Sequence, residues 1–223
     1  MVSQLIRELL KFPSISQIIL TLNTTECMAI ESHDRIQIIE NKKPLGFGEN
    51  HNNAYSHCTQ PYFCVLNPDI EFVSDPFPAL LSSLLKTNAS LVAPLIVSSS
   101  GEWEDSARYF PTMARIVKKI IFSDQGRWPV DLHEAVIYPD WVAGMFMLFK
   151  SDKFKEINGF DTSYFLYYED VDICRRIRRH GDQVALCTQV KAVHNAQRTS
   201  RKSIKYLYWH IKSLTRYLLT NYK

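Results

Sequence analysis

Between Tyr164 and Gly181 the sequence reads YFLYYEDVDICRRIRRHG, setting Glu169, Asp170 and Asp172 between a run of aromatics and a run of arginines. Carboxylates in the first turn of a helix complement the positive end of its dipole, and capping alone accounts for one or two of them. Three acids exceed that need. Tyr164, Phe165, Tyr167 and Tyr168 would line a partly dry cleft beside them, where a carboxylate is pushed toward the proton affinity of a general base.

A second acid ends an apolar strand. In VLNPDIEF, Pro68 stops the ladder and the turn projects Asp69 from the C-terminal edge of the strand, where ligands of open α/β sheets bind. A hard carboxylate there suits Mg²⁺ or Mn²⁺ holding a diphosphate; an ordinary Pro-Asp turn is the alternative. VKAVHNAQRTSRKS places His194 after a short apolar strand and Arg198, Arg201 and Lys202 in a polar loop. The histidine is a ligand or a satisfied structural residue, and the arginines bind phosphate or are solvated. PLGFGENHNNAY carries Gly46 and Gly48 without the third glycine of a dinucleotide fingerprint, so the glycines serve a tight turn into a helix whose start holds Asn50, His51, Asn52 and Asn53.

These residues need a layered scaffold, and the rest of the chain reads as one. Short apolar runs alternate with segments of helical spacing, which predicts an α/β domain. Helices are expected near 3–11, from the glycine loop to about Cys58, after Pro76 (burying Leu80, Leu81, Leu84 and Leu85), over Thr112–Phe122, to about Asn158, through the acid and arginine segment, and from Ser203. Strands are expected at Gln17–Leu22, Arg35–Glu40 and Tyr62–Leu66, at LVAPLI, over Trp141–Phe149, and as two short strands before the last helix. At 223 residues and 46% hydrophobic the chain suits one domain, and its longest apolar run is far short of the roughly 20 residues that cross a bilayer. The first residues lack the layout of a signal peptide, and five cysteines without CxxC spacing suit reduced thiols, so a cytoplasmic setting is expected. Residues 1–111 hold 7 Lys and Arg against 12 Asp and Glu, whereas residues 112–223 hold 19 against 11, which makes the C-terminal half the seat of an anionic partner. No recognised nucleic-acid module is present, and no nucleic-acid partner is expected.

Taken in order, PLGFGENHN, FCVLNPDIEF, EDSARYFPT, WVAGMFMLF, GFDTSYFLYYEDVDICRRIRRHG and VHNAQRTSR resemble the family 2 glycosyltransferases, specifically a bacterial rhamnosyltransferase-like subgroup, over about residues 17–216. The resemblance implies a GT-A fold, a mixed central sheet flanked by helices, in one domain: about 1–97 for nucleotide sugar and metal, 98–202 for acceptor and catalysis, and 203–223 as a C-terminal helix. It implies a divalent metal held by Asp69 and His194, and Asp170 as catalytic base with Glu169 beside it, Asp172 being a capping or supporting acid. It implies donor contacts from Asn23, Gly46, Gly48, Asn52, Asn67 and Arg198, and acceptor contacts from Trp141, Gly144 (on a strand) and Tyr168. The implied partners are a dTDP- or UDP-linked sugar and a glycan or lipid-linked acceptor; the alternative is an inactive remnant of the fold. The family's first strand, central in the sheet, is expected to be missing, since Met1-Val2-Ser3 runs almost directly into a helix. The arginine face of the helix at 169–179 is expected to meet solvent or membrane. On the last helix Ile204, Leu207, Tyr208, Ile211, Leu214, Leu218 and Leu219 are expected to pack mostly on the core. Tyr206, Trp209 and Tyr217 are left to rest on the inner face of the cell membrane, a peripheral contact.

Overall fold

The structure, a computed structural model, describes residues 1–24, 30–122, 126–195 and 204–221. Helix α1 (Val2–Leu9) leads into strands β1 (Ile18–Leu22) and β2 (Ile36–Glu40), followed by α2 (Phe47–Tyr55), β3 (Tyr62–Leu66), β4 (Ile70–Phe72) and α3 (Phe77–Thr87). Then come β5 (Leu91–Val97), β6 (Ala107–Arg108), α4 (Met113–Phe122), β7 (Val136–Ile137), β8 (Trp141–Val142) and β9 (Phe146–Lys150). The chain continues through α5 (Ser151–Glu156), α6 (Glu169–Arg179), β10 (Val184–His194) and α7 (Ile204–Asn221).

The main sheet runs β3-β9-β5-β10-β4, with β7 also on β10. It is mixed, as expected: β5 is parallel to β10, whereas β9 is antiparallel to both β3 and β5. All seven residues of β5 are buried, which is why LVAPLIV reads as an unbroken apolar run: a strand covered on both faces has no polar side. One face packs Phe63, Phe149, Phe154, Phe160 and Ile173 under α5 and α6; the other packs Leu5, Leu9, Leu80, Leu84, Ile96 and Leu148 under α1 and α3. Asp75 caps α3 by accepting from the Phe77 N–H at 3.0 Å, and Asn88 ends it in the left-handed region at φ 52°.

Four expectations are corrected. The run Trp141–Phe149 is not one strand: β8 pairs with β6, β9 joins the main sheet, and Gly144 lies in the break between them. The two short strands before the last helix are one strand, β10, with its register shifted between Cys187 and Lys191. Leu85 is exposed, because it falls on the outer side of α3. Finally, α7 docks by the opposite face. Ile204, Leu207, Tyr208, Ile211 and Leu219 are exposed, whereas Tyr217 is buried and Trp209 stacks on Phe165 at 4.7 Å. The helix lands on the aromatic loop before α6, where ring contacts and a Ser213 hydroxyl donating to the Leu166 carbonyl at 2.9 Å outweigh the aliphatic count.

Among the described residues, β1 and β2 hydrogen-bond in parallel only to each other and form a separate sheet. An apolar cavity of about 600 Å³ lies between β1 and β3, lined among others by Leu5, Leu9, Ile18, Leu20, Phe63 and Leu81. The sheet is thus interrupted where the family resemblance places a central strand.

Candidate active site

The turn after β3 is built as its sequence requires. Pro68 ends the ladder, the Ile70 N–H returns to the Asn67 carbonyl at 3.3 Å, and the Asn195 N–H holds the Asp69 carbonyl at 2.9 Å. This brings Asp69 to the end of β10, where His194 pairs with Ile70 across the antiparallel ladder. His194 Nε2 lies 3.2 Å from Asp69 Oδ2, and His194 Nδ1 lies 2.6 Å from Glu104 Oε2. Two carboxylates therefore clamp one imidazole. The Asp69 hydrogen bond is the main reason the His194 pKa rises to about 9, with burial opposing it and Glu104 adding to it. The same bond holds Asp69 below its usual range, again against burial.

Asp69 Oδ1 is buried with no hydrogen-bond partner. A lone carboxylate oxygen with no donor on it suits a cation. Among the described residues no three His, Cys, Asp or Glu side chains form a metal cage. The donor set is thus Asp69 with His194 beside it, and a divalent ion of the Mg²⁺ type, bound by one or two carboxylates plus substrate phosphates, fits such a sparse set.

The other acids stand at the start of α6. Tyr167 and Tyr168 both adopt left-handed backbone, at φ 70° and 69°, before Glu169 and Asp170 begin the helix. Such residues cost on the order of 1–3 kcal/mol each, and cluster where a site needs a particular aim. Asp170 Oδ2 accepts from the Gly144 N–H at 3.1 Å and Oδ1 from the Val171 N–H at 2.8 Å. Glu169 is buried, with Oε2 lacking any partner, and burial followed by the Asp170 charge pushes its pKa to about 8. Burial raises Asp170 too, but the Gly144 and Val171 N–H groups and Arg108 oppose it. Burial thus raises the proton affinity of both members of this close pair, and it is the Asp170 carboxylate that the Gly144 and Val171 N–H groups hold in place. Asp172 is a structural acid, bound by Arg175 at 2.9 Å and Arg176 at 2.7 Å.

Of the four arginines of α6 only Arg179 is exposed as expected; the other three turn to the protein. Arg175 is buried, Arg176 also donates to the Ile157 carbonyl, and Arg178 donates to the carbonyls of Tyr138, Pro139 and Asp140. Guanidinium donors here satisfy loop carbonyls that no strand reaches.

The residues Gly144-Met145 stitch the two centres together. The Gly144 N–H binds Asp170, and the Met145 carbonyl accepts from the Asn67 N–H at 2.9 Å, two residues before Asp69. Trp141 borders this region, its indole N–H on the Tyr109 carbonyl at 3.0 Å and Arg108 over its ring at 5.7 Å. Tyr168 packs on His210 and Tyr217, and burial lifts its hydroxyl to about 12.

The expected donor contacts are placed differently. The Asn23 amide is spent on the backbone of Leu45, and Asn52 bridges both backbone groups of Phe160. A Cβ on Gly46 would sit 2.7 Å from the Phe165 carbonyl oxygen, and one on Gly48 2.6 Å from Phe160 Cβ, so close packing accounts for both glycines. Arg198 lies outside the described residues. Sequence reasoning missed Glu104 and Arg108. Both stand inside EDSARYFPT, a segment quoted for its resemblance but without assigned roles.

The fold is shared with solved glycosyltransferases. The chain superposes on the structure of GalNAc-T7 with UDP, GalNAc and Mn²⁺ with a TM-score of 0.62 at 12% identity, covering 82% of this chain and 37% of that one. For S. aureus TarS 1-349 the TM-score is 0.54 at 7% identity, covering 82% and 52%. Together with the mixed sheet these define a GT-A fold. Residues 21–152 match the family described as Glycosyl transferase family 2, and residues 131–200 that described as N-terminal domain of galactosyltransferase. Identity reaches 32% over 184 residues with the rhamnosyltransferase WbbL of Escherichia coli (strain K12), covering 78% of this chain and 70% of that one. With the N-acetylglucosaminyl-diphospho-decaprenol L-rhamnosyltransferase of Mycobacterium tuberculosis (strain ATCC 25618 / H37Rv) it is 24% over 206 residues, covering 83% and 67%. The chain belongs to glycosyltransferase family 2 and is of the rhamnosyltransferase-like, hexosyltransferase kind.

Proposed function

We propose that the protein is an inverting, metal-dependent transferase that moves a hexose, with rhamnose the first choice, from a dTDP- or UDP-linked donor to a hydroxyl of a glycan or lipid-linked acceptor. The observation that supports this reading is the stitching of the Asn67–Asp69 turn and Asp170 through adjacent residues, Met145 and Gly144, which ties the strand end bearing an orphaned carboxylate oxygen to a hydrogen-bonded carboxylate. Asp69, through its unpartnered Oδ1, and His194, once Nε2 gives up the proton it shares with Asp69 Oδ2, would hold the divalent ion, which when bound neutralises charge on the departing diphosphate. Asp170 takes the proton of the acceptor hydroxyl as its oxygen attacks the anomeric carbon. The bond from that carbon to the diphosphate oxygen breaks, its electron pair leaving with the diphosphate and the configuration inverting. Glu169 lies buried beside Asp170, whose charge adds to burial in raising the Glu169 proton affinity. Trp141, Gly144 and Tyr168 border the acceptor side, while Asn67 and the loop carrying Arg198 serve the donor.

Two observations bear on the setting. No helix among the described residues is long and apolar enough to cross a membrane, and α7 carries Lys205, Lys212 and Arg216 without an acid. Both support work at the cytoplasmic face of the membrane by peripheral contact. The interrupted sheet between β1 and β3 favours one rival reading, a remnant that keeps the fold but holds no nucleotide. A melting screen with Mn²⁺ and dTDP- or UDP-linked sugars tests the proposal. A donor that raises the midpoint only with metal, followed by NMR showing inverted product, is expected; no shift with any donor supports the remnant.

A further inference from the structure

Helix α4 presents its apolar side to solvent. Met113, Val117 and Ile121 recur every four residues on one face and are 49%, 47% and 63% exposed, and Phe122 beside them is 74% exposed. Its inward side holds Arg115, over the Tyr109 ring at 4.0 Å, and the half-buried Ile116. A surface helix of a globular domain does the reverse. The same inversion recurs in α7, where Ile204, Leu207, Tyr208 and Ile211, spaced i, i+3, i+4 and i+7, are all more than half exposed. The two helices meet one cluster: Phe110, just before α4, and Leu218 of α7 both pack on the buried group of Tyr164, Val171 and Tyr217.

Charge chooses among the possible occupants. Neither the 10-residue α4 nor the 18-residue α7 contains an Asp or Glu, and between them they carry Arg115, Lys118, Lys119, Lys205, Lys212 and Arg216. A two-fold dimer would set these cations against their own copies, which opposes self-association. With Arg115 turned onto Tyr109 and Arg216 paired with Asp161 at 3.5 Å, anionic lipid headgroups answer Lys118, Lys119, Lys205 and Lys212, while the apolar stripes enter the acyl boundary. The platform also adjoins the proposed base. Tyr167 and Tyr168, immediately before Glu169 and Asp170, each touch the His210 ring of α7 at 5.4 Å.

We propose that α4 and α7 together form a platform that lies on an anionic bilayer, α4 inserting Val117, Ile121 and Phe122, so that a lipid-linked acceptor reaches Asp170 from the membrane side. The role of the platform rests on the transferase reading; its membrane binding is measured without it. Flotation of the full chain with phosphatidylcholine vesicles, with and without phosphatidylglycerol, at low and high salt provides the test. Binding is expected only to the anionic vesicles and weakens with salt. Val117→Glu with Ile121→Glu should cut the bound fraction about tenfold or more, since it removes two inserted aliphatic groups. The melting temperature and any metal-dependent donor shift should stay as in the parent. Should the double variant unfold, Phe122→Ala at its exposed site reads the same loss, about tenfold. Undiminished flotation of the variants, failure of the parent to float, or a dimer by light scattering that the double variant dissolves would each overturn the platform. Flotation without any donor shift would leave the platform standing and remove the transferase reading.

Discussion

Replacing Asp170 with Asn removes the proposed base while leaving its shape. The parent carboxylate accepts two backbone N–H groups, from Gly144 at 3.1 Å and Val171 at 2.8 Å. An amide has one acceptor oxygen, so one N–H loses its partner, a cost of about 1–3 kcal/mol. Against this, the variant no longer buries a carboxylate beside Glu169, whose pKa of about 8 has the Asp170 charge as its second cause after burial. The two effects oppose, so the melting temperature should move by only a few degrees, while turnover should fall by about 10²–10⁴, the share of a general base. A titration signature separates this from simple damage. Glu169 binds its proton more tightly folded (about 8) than at its ordinary 4.5, so its contribution to stability falls as pH rises through that window. With Asp170 neutral, Glu169 moves toward its ordinary value and the fall becomes shallower. Turnover by stopped assay and melting curves across the window read both effects. Turnover within a few-fold of the parent, or an unchanged pH slope, refutes the reasoning.

Glu104→Gln should weaken metal-dependent nucleotide binding about 10–100-fold, the usual cost of losing a carboxylate that orients a ligating His, while leaving metal-free behaviour unchanged; calorimetry with Mn²⁺ checks it. Gly46→Ala drives a methyl group to 2.7 Å from the Phe165 carbonyl oxygen, and a loss of about 1–3 kcal/mol is expected in denaturant melts.

Much of the frame could be read from local pattern. The run LVAPLIV announced a doubly covered strand, and Asn67-Pro68-Asp69 announced an acid at a strand end, because both signals are carried by neighbouring residues. Glu104 could not be found this way: it meets His194 only after 90 residues of intervening chain fold, and no spacing encodes that contact. The facing of α7 misled because the helix has two apolar sides. One is aliphatic; the other, holding Trp209 and Tyr217, matches the aromatic loop at 164–168, and only the tertiary partner decides between them. Arg178 of α6 misled in the same way, since the loop carbonyls at Tyr138, Pro139 and Asp140 that it serves lie about 40 residues away in sequence.

The central claim is that Asp69 ties a metal to a nucleotide diphosphate. Isothermal titration of UDP and dTDP into the parent and Asp69→Ala, each with and without Mn²⁺, tests it most directly. The account predicts binding to the parent that requires Mn²⁺ and disappears in Asp69→Ala. Metal-dependent binding of equal strength in both proteins, or nucleotide binding by the parent that ignores Mn²⁺, would contradict it.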